Sequence, residues 1–181
     1  SDIAVDPNNA NNLVITKAGY GGSQSKIWTI TNASTCLTDG AILTPIGGTP
    51  SAGGLPTGLP VFSAEIAIHD ENVVLVGTEY GIYGIDNAVT AGPKELVSSN
   101  GIPRTAIYDI FQNKVPFWQS GSLKVENVLY RKMYAGSYGR GFWTTGSLTG
   151  LPEKNRDNEV SAKEINLQFN VYPNPMNSVG F

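Results

Sequence analysis

Cysteine and histidine are almost absent from this chain, which removes most metal and thiol chemistry at the outset. The single cysteine, Cys36, cannot form an internal disulfide, and the single histidine, His69, has no second histidine or cysteine with which to share a zinc ion, so no metal or cofactor is expected. Cys36 reads as a small buried thiol and His69 as a loop imidazole. Gly-x-Ser-x-Gly, His-Glu-x-x-His and phosphate-binding glycine loops are missing, and a Ser–His or Cys–His pair would have only His69 to draw on. No catalytic residue is assigned on these grounds.

Charge is scarce as well. Charged residues make up 15% of the chain, against about 25% in an average globular protein. The net charge is -3, and no run of Lys or Arg exists that could follow a phosphate backbone, so nucleic acid is not an expected partner. Apolar runs stay well short of the ~20 residues a membrane-spanning helix needs, so no membrane-spanning segment is expected. The opening SDIAVDPNN has no initiator Met, basic n-region or hydrophobic h-region, and the start is read as internal or processed.

What is present is Asn, Ser, Thr and Gly in place of charge, the profile of an extracellular β-protein. The 21 glycines and 11 prolines are spread along the chain and leave few places for long helices. Short β-branched or aromatic runs recur between turn signals: DIAV at 2–5, NLVITKA at 12–18, KIWTIT at 26–31, EIAI at 65–68, NVVLVGT at 72–78, GIYGI at 81–85 and FWTT at 142–145. SLKVENVLYRKMYA (122–135) carries near-helical spacing but is read as strand, and the charged stretch 153–168 begins as a solvated linker.

The runs repeat. Ile27-Trp28-Thr29-Ile30 and Asn32-Ala33 recur 55 residues later as Ile82-Tyr83-Gly84-Ile85 and Asn87-Ala88. Strands opening on an acid and an isoleucine occur at Asp2-Ile3, Glu65-Ile66 and Asp109-Ile110. Each is followed by a second apolar strand, a glycine-aromatic turn (AGYGG at 18–22, GTEYG at 77–81, GSYGRG at 136–141) and a third strand with Ile27-Trp28, Ile82-Tyr83 or Phe142-Trp143. Gly58-Leu59-Pro60 and Gly101-Ile102-Pro103 precede two units, and a proline there, lacking an amide hydrogen, marks a sheet boundary. A period near that of known propeller repeats, about 40–50 residues, with roughly four short strands in each, predicts β-propeller blades. The first unit is longer by the turn-rich loop 47–58.

The Gly77-Thr78, Gly81-Ile82-Tyr83 pattern and the run Ala135-Gly136, Tyr138-Gly139-Arg140-Gly141-Phe142-Trp143 resemble secreted propellers of the sortilin and sialidase-repeat type. That group includes xyloglucan-degrading glycoside hydrolases and many bacterial surface proteins. Its Asp-box turn would fall at Gly84, Asp86, Ala88, Thr90 and Ala91 and at Thr29, Thr31, Ala33, Thr35 and Cys36, where only Asp86, Thr90, Thr29 and Thr35 keep the expected chemistry. The resemblance covers residues 1–146 and implies all-β propeller blades, about three four-stranded units of an incomplete propeller.

At the C-terminal end, Leu167-Gln168-Phe169-Asn170-Val171-Tyr172 alternates apolar and polar as a half-buried strand does and runs into Pro173-Asn174-Pro175. Val171-Tyr172-Pro173-Asn174-Pro175 resembles the opening of the type A C-terminal sorting domain of type IX secretion in the Bacteroidetes. The expected organisation is therefore propeller blades at 1–146, a hydrophilic linker at 147–166, and the first strand of a small β-sandwich sorting domain, truncated, at 167–181. The resemblance implies a protein that reaches the medium or the outer-membrane-attached cell surface through the periplasm, with the type IX translocon and its outer-membrane shuttle protein as partners. The propeller is then a glycan- or protein-binding module and the C-terminal portion of a larger protein. The alternative is a polysaccharide-degrading hydrolase whose catalytic carboxylates lie mostly outside this chain.

A glycosidase needs two carboxyl groups about 5–9.5 Å apart across a cleft. Asp2, Glu65 and Asp109 are read as occupying one repeated place, which argues for a repeated structural hydrogen bond instead. Asp6 and Asp70-Glu71 sit where short acids accept from loop amides, and Asn32-Ala33-Ser34 reads as a turn more than a glycosylation acceptor. Of the aromatic residues that could stack on a sugar, Trp118, Tyr138 and Trp143, the last is read as blade packing, while Trp118 has no counterpart in the other repeats and is a candidate ligand contact. Arg140, the other candidate, is read first as a tie between neighbouring blades.

Overall fold

The computed structural model describes residues 1–22, 25–47, 55–86, 94–95, 104–145 and 169–171. Among them the chain is all-β, with three four-stranded antiparallel sheets, one separate hairpin and one four-residue helix. No described helix is long and apolar enough to cross a membrane.

The first sheet is β1 (Ile3–Val5), β2 (Leu13–Thr16), β3 (Ile27–Ile30) and, after helix α1 (Cys36–Asp39), β4 (Leu43–Ile46). The second is β5 (Val61–Ile66), β6 (Val73–Thr78), β7 (Gly81–Asp86) and β8 (Lys94–Glu95), each strand paired with the next. The third starts at β9 (Ile107–Gln112). The chain then leaves the sheet for the hairpin β10 (Phe117–Ser120) and β11 (Leu123–Glu126), and returns as β12 (Met133–Ser137) and β13 (Gly141–Thr145). Its fourth strand is β14 (Phe169–Val171), which lies antiparallel to β13 with Val171 opposite Trp143. The segment read as opening a sorting domain thus places Phe169–Val171 at the edge of the third sheet; Tyr172, Pro173, Asn174, Pro175 and the linker 147–166 lie outside the described residues.

Segment 122–135 is strand, but in two pieces. Asn127–Lys132 turns between them, closed by Tyr130 N–H to Asn127 O and Lys132 N–H to Leu129 O, with Arg131 at a left-handed φ of 68°. Pro60 stands immediately before β5, as a boundary proline should, while Gly101–Pro103 lies outside the described residues. Asn32 holds its loop with Oδ1 accepting from Ile42 N–H and Nδ2 donating to Gly40 O, which agrees with the turn reading.

Neighbouring sheets pack face to face, with β1 beside β5 and β5 beside β9. Side chains alternate across each strand, so the second sheet offers one face to the first sheet and the other to the third. Ala4, Val14 and Ile27 of the first sheet pack on Ala64, Val76 and Tyr83 of the second. Leu75 and Ile82, on the opposite face of the second sheet, pack on Ile107, Ile110, Ala135 and Trp143 of the third. Trp143 is thus a packing residue, as read from the sequence.

Equal turn geometry fixes the repeat register. Asp6 N–H bonds Asn12 O and Asn9 N–H bonds Asp6 O in the first sheet; Ala67 N–H bonds Val73 O and Asp70 N–H bonds Ala67 O in the second. Counting back from these turns puts Ser63, not Glu65, at the place of Asp2. In the third sheet Asn113 N–H bonds Lys132 O at the mouth of the excursion that carries β10 and β11, and counting back from Asn113 puts Asp109 at that same place. The repeated place read for all three acids is therefore corrected: Glu65 is two residues further along and shares its register with Ala4 and Phe111.

Candidate functional site

The turns joining the second and third strands of the three sheets emerge at one end of the stack. In the second sheet Thr78 Oγ1 donates to Gly81 O at 2.9 Å and accepts from Tyr80 N–H at 3.1 Å. In the third, Ser137 Oγ likewise donates to Gly141 O, at 2.8 Å, but accepts from the Trp143 Nε1–H at 3.1 Å. Gly81 and Gly141 have φ of 112° and 80°, a backbone that side chains other than glycine adopt only under strain. A closed backbone this tight sends the turn side chains into solvent.

Those side chains are aromatic. Tyr20, Tyr80 and Tyr138, one from each turn, are exposed, and Tyr108 at the adjacent end of β9 is exposed too. The long first turn is tied by Lys26 Nζ, which donates to Gly19 O at 2.8 Å and Gly21 O at 2.7 Å. It is joined to the second turn by Tyr20 Oη donating to Glu79 Oε1 at 3.0 Å. That hydrogen bond, with the charge of Glu79 behind it, holds the Tyr20 hydroxyl above its ordinary pKa; Tyr108 and Tyr80 are close enough to add to the effect. Tyr108 meets Phe62 at 4.7 Å between ring centroids and Tyr138 edge-on at 5.9 Å, and Tyr138 N–H bonds Ala106 O. A belt of rings therefore crosses all three sheets, with a carboxylate and phenolic hydroxyls among them. Tyrosine presents a large face at little cost in side-chain entropy and a polar tip to fix orientation.

Trp118 and Arg140 do not share a site. Gln112 is opposite Met133 and Ile107 opposite Ser137, so the hairpin inserted after β9 and the turn after β12 are at opposite ends of the third sheet. Arg140 lies exposed in the same turn as Tyr138 and makes no ion pair among the described residues, so the tie between neighbours read for it is not made there. Trp118 is exposed on β10 opposite Val125, on the same face as Leu123, while Lys124 Nζ stands 3.8 Å over the Phe117 ring on the other. Behind the hairpin is a hollow of about 350 Å³ lined by Phe117, Lys124, Glu126, Asn127 and Tyr130. Of the sorting residues, Val171 lies in β14 at the edge of the third sheet.

The three acids face different surroundings. Asp2 Oδ2 accepts from Ala64 N–H across the first seam at 3.1 Å. Glu65 Oε2 accepts from Gln112 N–H across the second at 3.1 Å, and its other oxygen pairs with Lys114. Burial pushes the Glu65 carboxyl up, against the pull of Lys114. Asp109 is exposed on the outward face of the third sheet. Two of them are inter-sheet ties, as a structural reading requires. Asp6 and Asp70 accept from Asn8 N–H and Asn72 N–H within their own turns. His69 is half-buried with neither ring nitrogen hydrogen-bonded among the described residues; burial, then the charge of Arg131, hold its pKa down. Cys36 is half-buried in α1, less covered than expected.

Tyr20, Glu79, Tyr80 and Tyr108 were missed as site residues from the sequence, where the glycine-aromatic turns served only as bends. The signal was there: each turn carries a tyrosine in addition to the aromatic that packs in the following strand. No family model, curated protein or solved structure matches this chain.

Proposed function

We propose that this chain is part of a secreted β-propeller that binds a glycan on its tyrosine belt and is exported as cargo of the type IX secretion system. The observation that carries the binding reading is the belt itself, one exposed tyrosine from each of three equivalent turns joined by Tyr108 and by the Tyr20–Glu79 hydrogen bond. Solvent-facing rings in a row offer stacking faces to successive sugars, and Glu79 and Arg140 supply hydroxyl partners at the same end. The hydrolase alternative draws no support from Asp2 and Glu65, which hold separate seams. Retardation of the chain in gels containing β-glucans or host glycans, lost in Tyr20→Ala and Tyr138→Ala at unchanged circular dichroism, is the expected result. Equal migration of the variants and the parent in every retarding gel would sink the binding reading.

The export reading rests on Val171-Tyr172-Pro173-Asn174-Pro175, and the partners it names are the translocon and its outer-membrane shuttle. Because Phe169–Val171 also completes a sheet, deletion from residue 167 would confound folding with export. Replacing residues 172–175 by alanine in the native host spares β14. Loss of the protein from the medium and surface fractions is expected, and undiminished export refutes the reading.

A further inference from the structure

Charge at the tyrosine end follows an order from sheet to sheet. Lys17 and Lys26 close the first turn, the Lys17 N–H bonding Lys26 O. The second turn carries one charge, Glu79, which accepts from Tyr20 Oη. In the third sheet Arg140 lies beside Tyr138, and Arg104 precedes the Ala106 carbonyl that accepts from Tyr138 N–H, so both arginines are at this end. Across the stack the order is positive, negative, positive, in a chain whose net charge is -3. The turns lie at strand ends and not on the faces by which sheets stack, so this order is independent of any sheet before or after.

The cations are open to an anion from outside. Lys17 and Arg140 are exposed and make no ion pair among the described residues. Lys26 Nζ donates to two neutral carbonyls, Gly19 O and Gly21 O, which orient the ammonium without cancelling its charge. Asp2, whose N–H bonds Thr16 Oγ1 at the base of the first turn, gives a carboxylate oxygen to Ala64 N–H across the seam. Asp109, opposite Gly136, is on the outward face of the third sheet. Within the turns, therefore, Glu79 is the one acid between two groups of cations, and the exposed rings of Tyr20, Tyr80 and Tyr138 run through all three.

We propose that the tyrosine belt takes an acidic polysaccharide whose carboxylate-bearing sugars are separated by neutral ones. Carboxylates meet the lysines of the first turn and Arg140 of the third, where a planar guanidinium matches a carboxylate with two parallel N–H donors. Neutral sugars between them offer hydroxyls to Glu79 and ring faces to the tyrosines. A polymer charged at every unit would set an anion against Glu79, where like charges repel, and an uncharged polymer leaves the cations without partners. The inference rests on the belt being a glycan site and adds the class of glycan.

Affinity electrophoresis and calorimetry on the full chain compare hyaluronan, with a carboxylate on alternate sugars, polygalacturonate, with one on every sugar, uncharged hydroxyethyl cellulose, and oligothymidylate. Hyaluronan is expected to bind most tightly. Arg140→Gln and Lys17→Gln are each expected to weaken it about three- to tenfold at unchanged circular dichroism, an effect that shrinks as salt is added. Glu79→Gln keeps an acceptor for Tyr20 Oη and is expected to raise polygalacturonate towards hyaluronan, a change that a purely structural Glu79 would not produce. Hydroxyethyl cellulose bound as tightly as hyaluronan, with Arg140→Gln indifferent, would overturn the acidic ligand and leave the belt as a glycan site. Polygalacturonate or oligothymidylate bound by the parent as tightly as hyaluronan would overturn the proposal in favour of unselective attraction of polyanions. Failure of every polysaccharide, β-glucans and host glycans included, would remove the belt reading and this inference together.

Discussion

Alanine at Gly77 would put a methyl group where the third sheet already is. The added carbon would lie 2.5 Å from Ser63 Oγ, 2.7 Å from Ile107 O and 3.0 Å from Ile107 Cγ2. Gly77 has no positive φ, so the backbone accepts alanine and the whole penalty is steric. Ser63 can rotate its hydroxyl away, but Ile107 O belongs to the backbone of β9, and bringing it to an ordinary 3.4 Å requires β9 to retreat by about 0.7 Å. That retreat loosens the contacts of Leu75 and Ile82 with Ile107, Ile110 and Trp143. Overpacking of this kind costs about 1–3 kcal/mol. The loss of unfolded-state freedom on going from glycine to alanine returns about 0.4–1 kcal/mol. The net destabilisation is about 1–2 kcal/mol, or roughly 2–8 °C in Tm for a chain of this size. Urea unfolding followed by tryptophan fluorescence gives the value directly. Gly136→Ala is the internal control and is expected to be neutral or slightly stabilising. A Gly77→Ala midpoint equal to or above that of Gly136→Ala would refute the seam as described.

Gln112 is fully buried, with Oε1 accepting from Ile68 N–H and Nε2 donating to Arg131 O, so Gln112→Leu orphans two backbone groups and is expected to lower stability by about 2–4 kcal/mol in the same urea assay. Glu65 has a raised pKa in the folded chain, so its contribution is complete below its ordinary 4.5 and is lost as pH rises through the raised value; Glu65→Gln should gain on the parent as pH climbs from 4.5 to 7. His69, held below its ordinary 6.5, behaves in the opposite sense: its contribution is present above 6.5 and is lost as pH falls, so His69→Asn should gain on the parent on the acid side. Parallel midpoint-against-pH curves for the parent and the two variants would contradict both assignments.

The strands were legible because β-branched runs bounded by glycine and proline leave the chain few alternatives, and the repeat of Ile27-Trp28 as Ile82-Tyr83 and Phe142-Trp143 correctly marked the third strand of each sheet. Register was harder. Acid-isoleucine pairs looked equivalent by eye, yet equivalence is set by the turn hydrogen bonds at Asp6, Ala67 and Asn113, which no pair of letters encodes. The ring belt was illegible for another reason: exposure depends on which way a turn residue points, and Tyr20, Tyr80 and Tyr138 sit at different offsets within turns of different length. Phe142 illustrates the limit from the other side, since its repeat position reads as packing and yet it is exposed.

The displaced acid in the second sheet follows from side-chain reach. At the register where Asp2 spans the first seam to Ala64 N–H, the second sheet has Ser63, one bond shorter than a carboxylate needs, and its Oγ is buried without a hydrogen-bond partner among the described residues. Glu65 is the next residue on the same face of β5, and its longer stem reaches Gln112 N–H, two residues further along β9 than Ile110. Each seam thus keeps one carboxylate-to-amide tie, moved along the strand by one pleat repeat. Lys114 beside Glu65 offsets part of the burial that a longer acid incurs there, whereas Asp2 is only half-buried and has no such pair among the described residues.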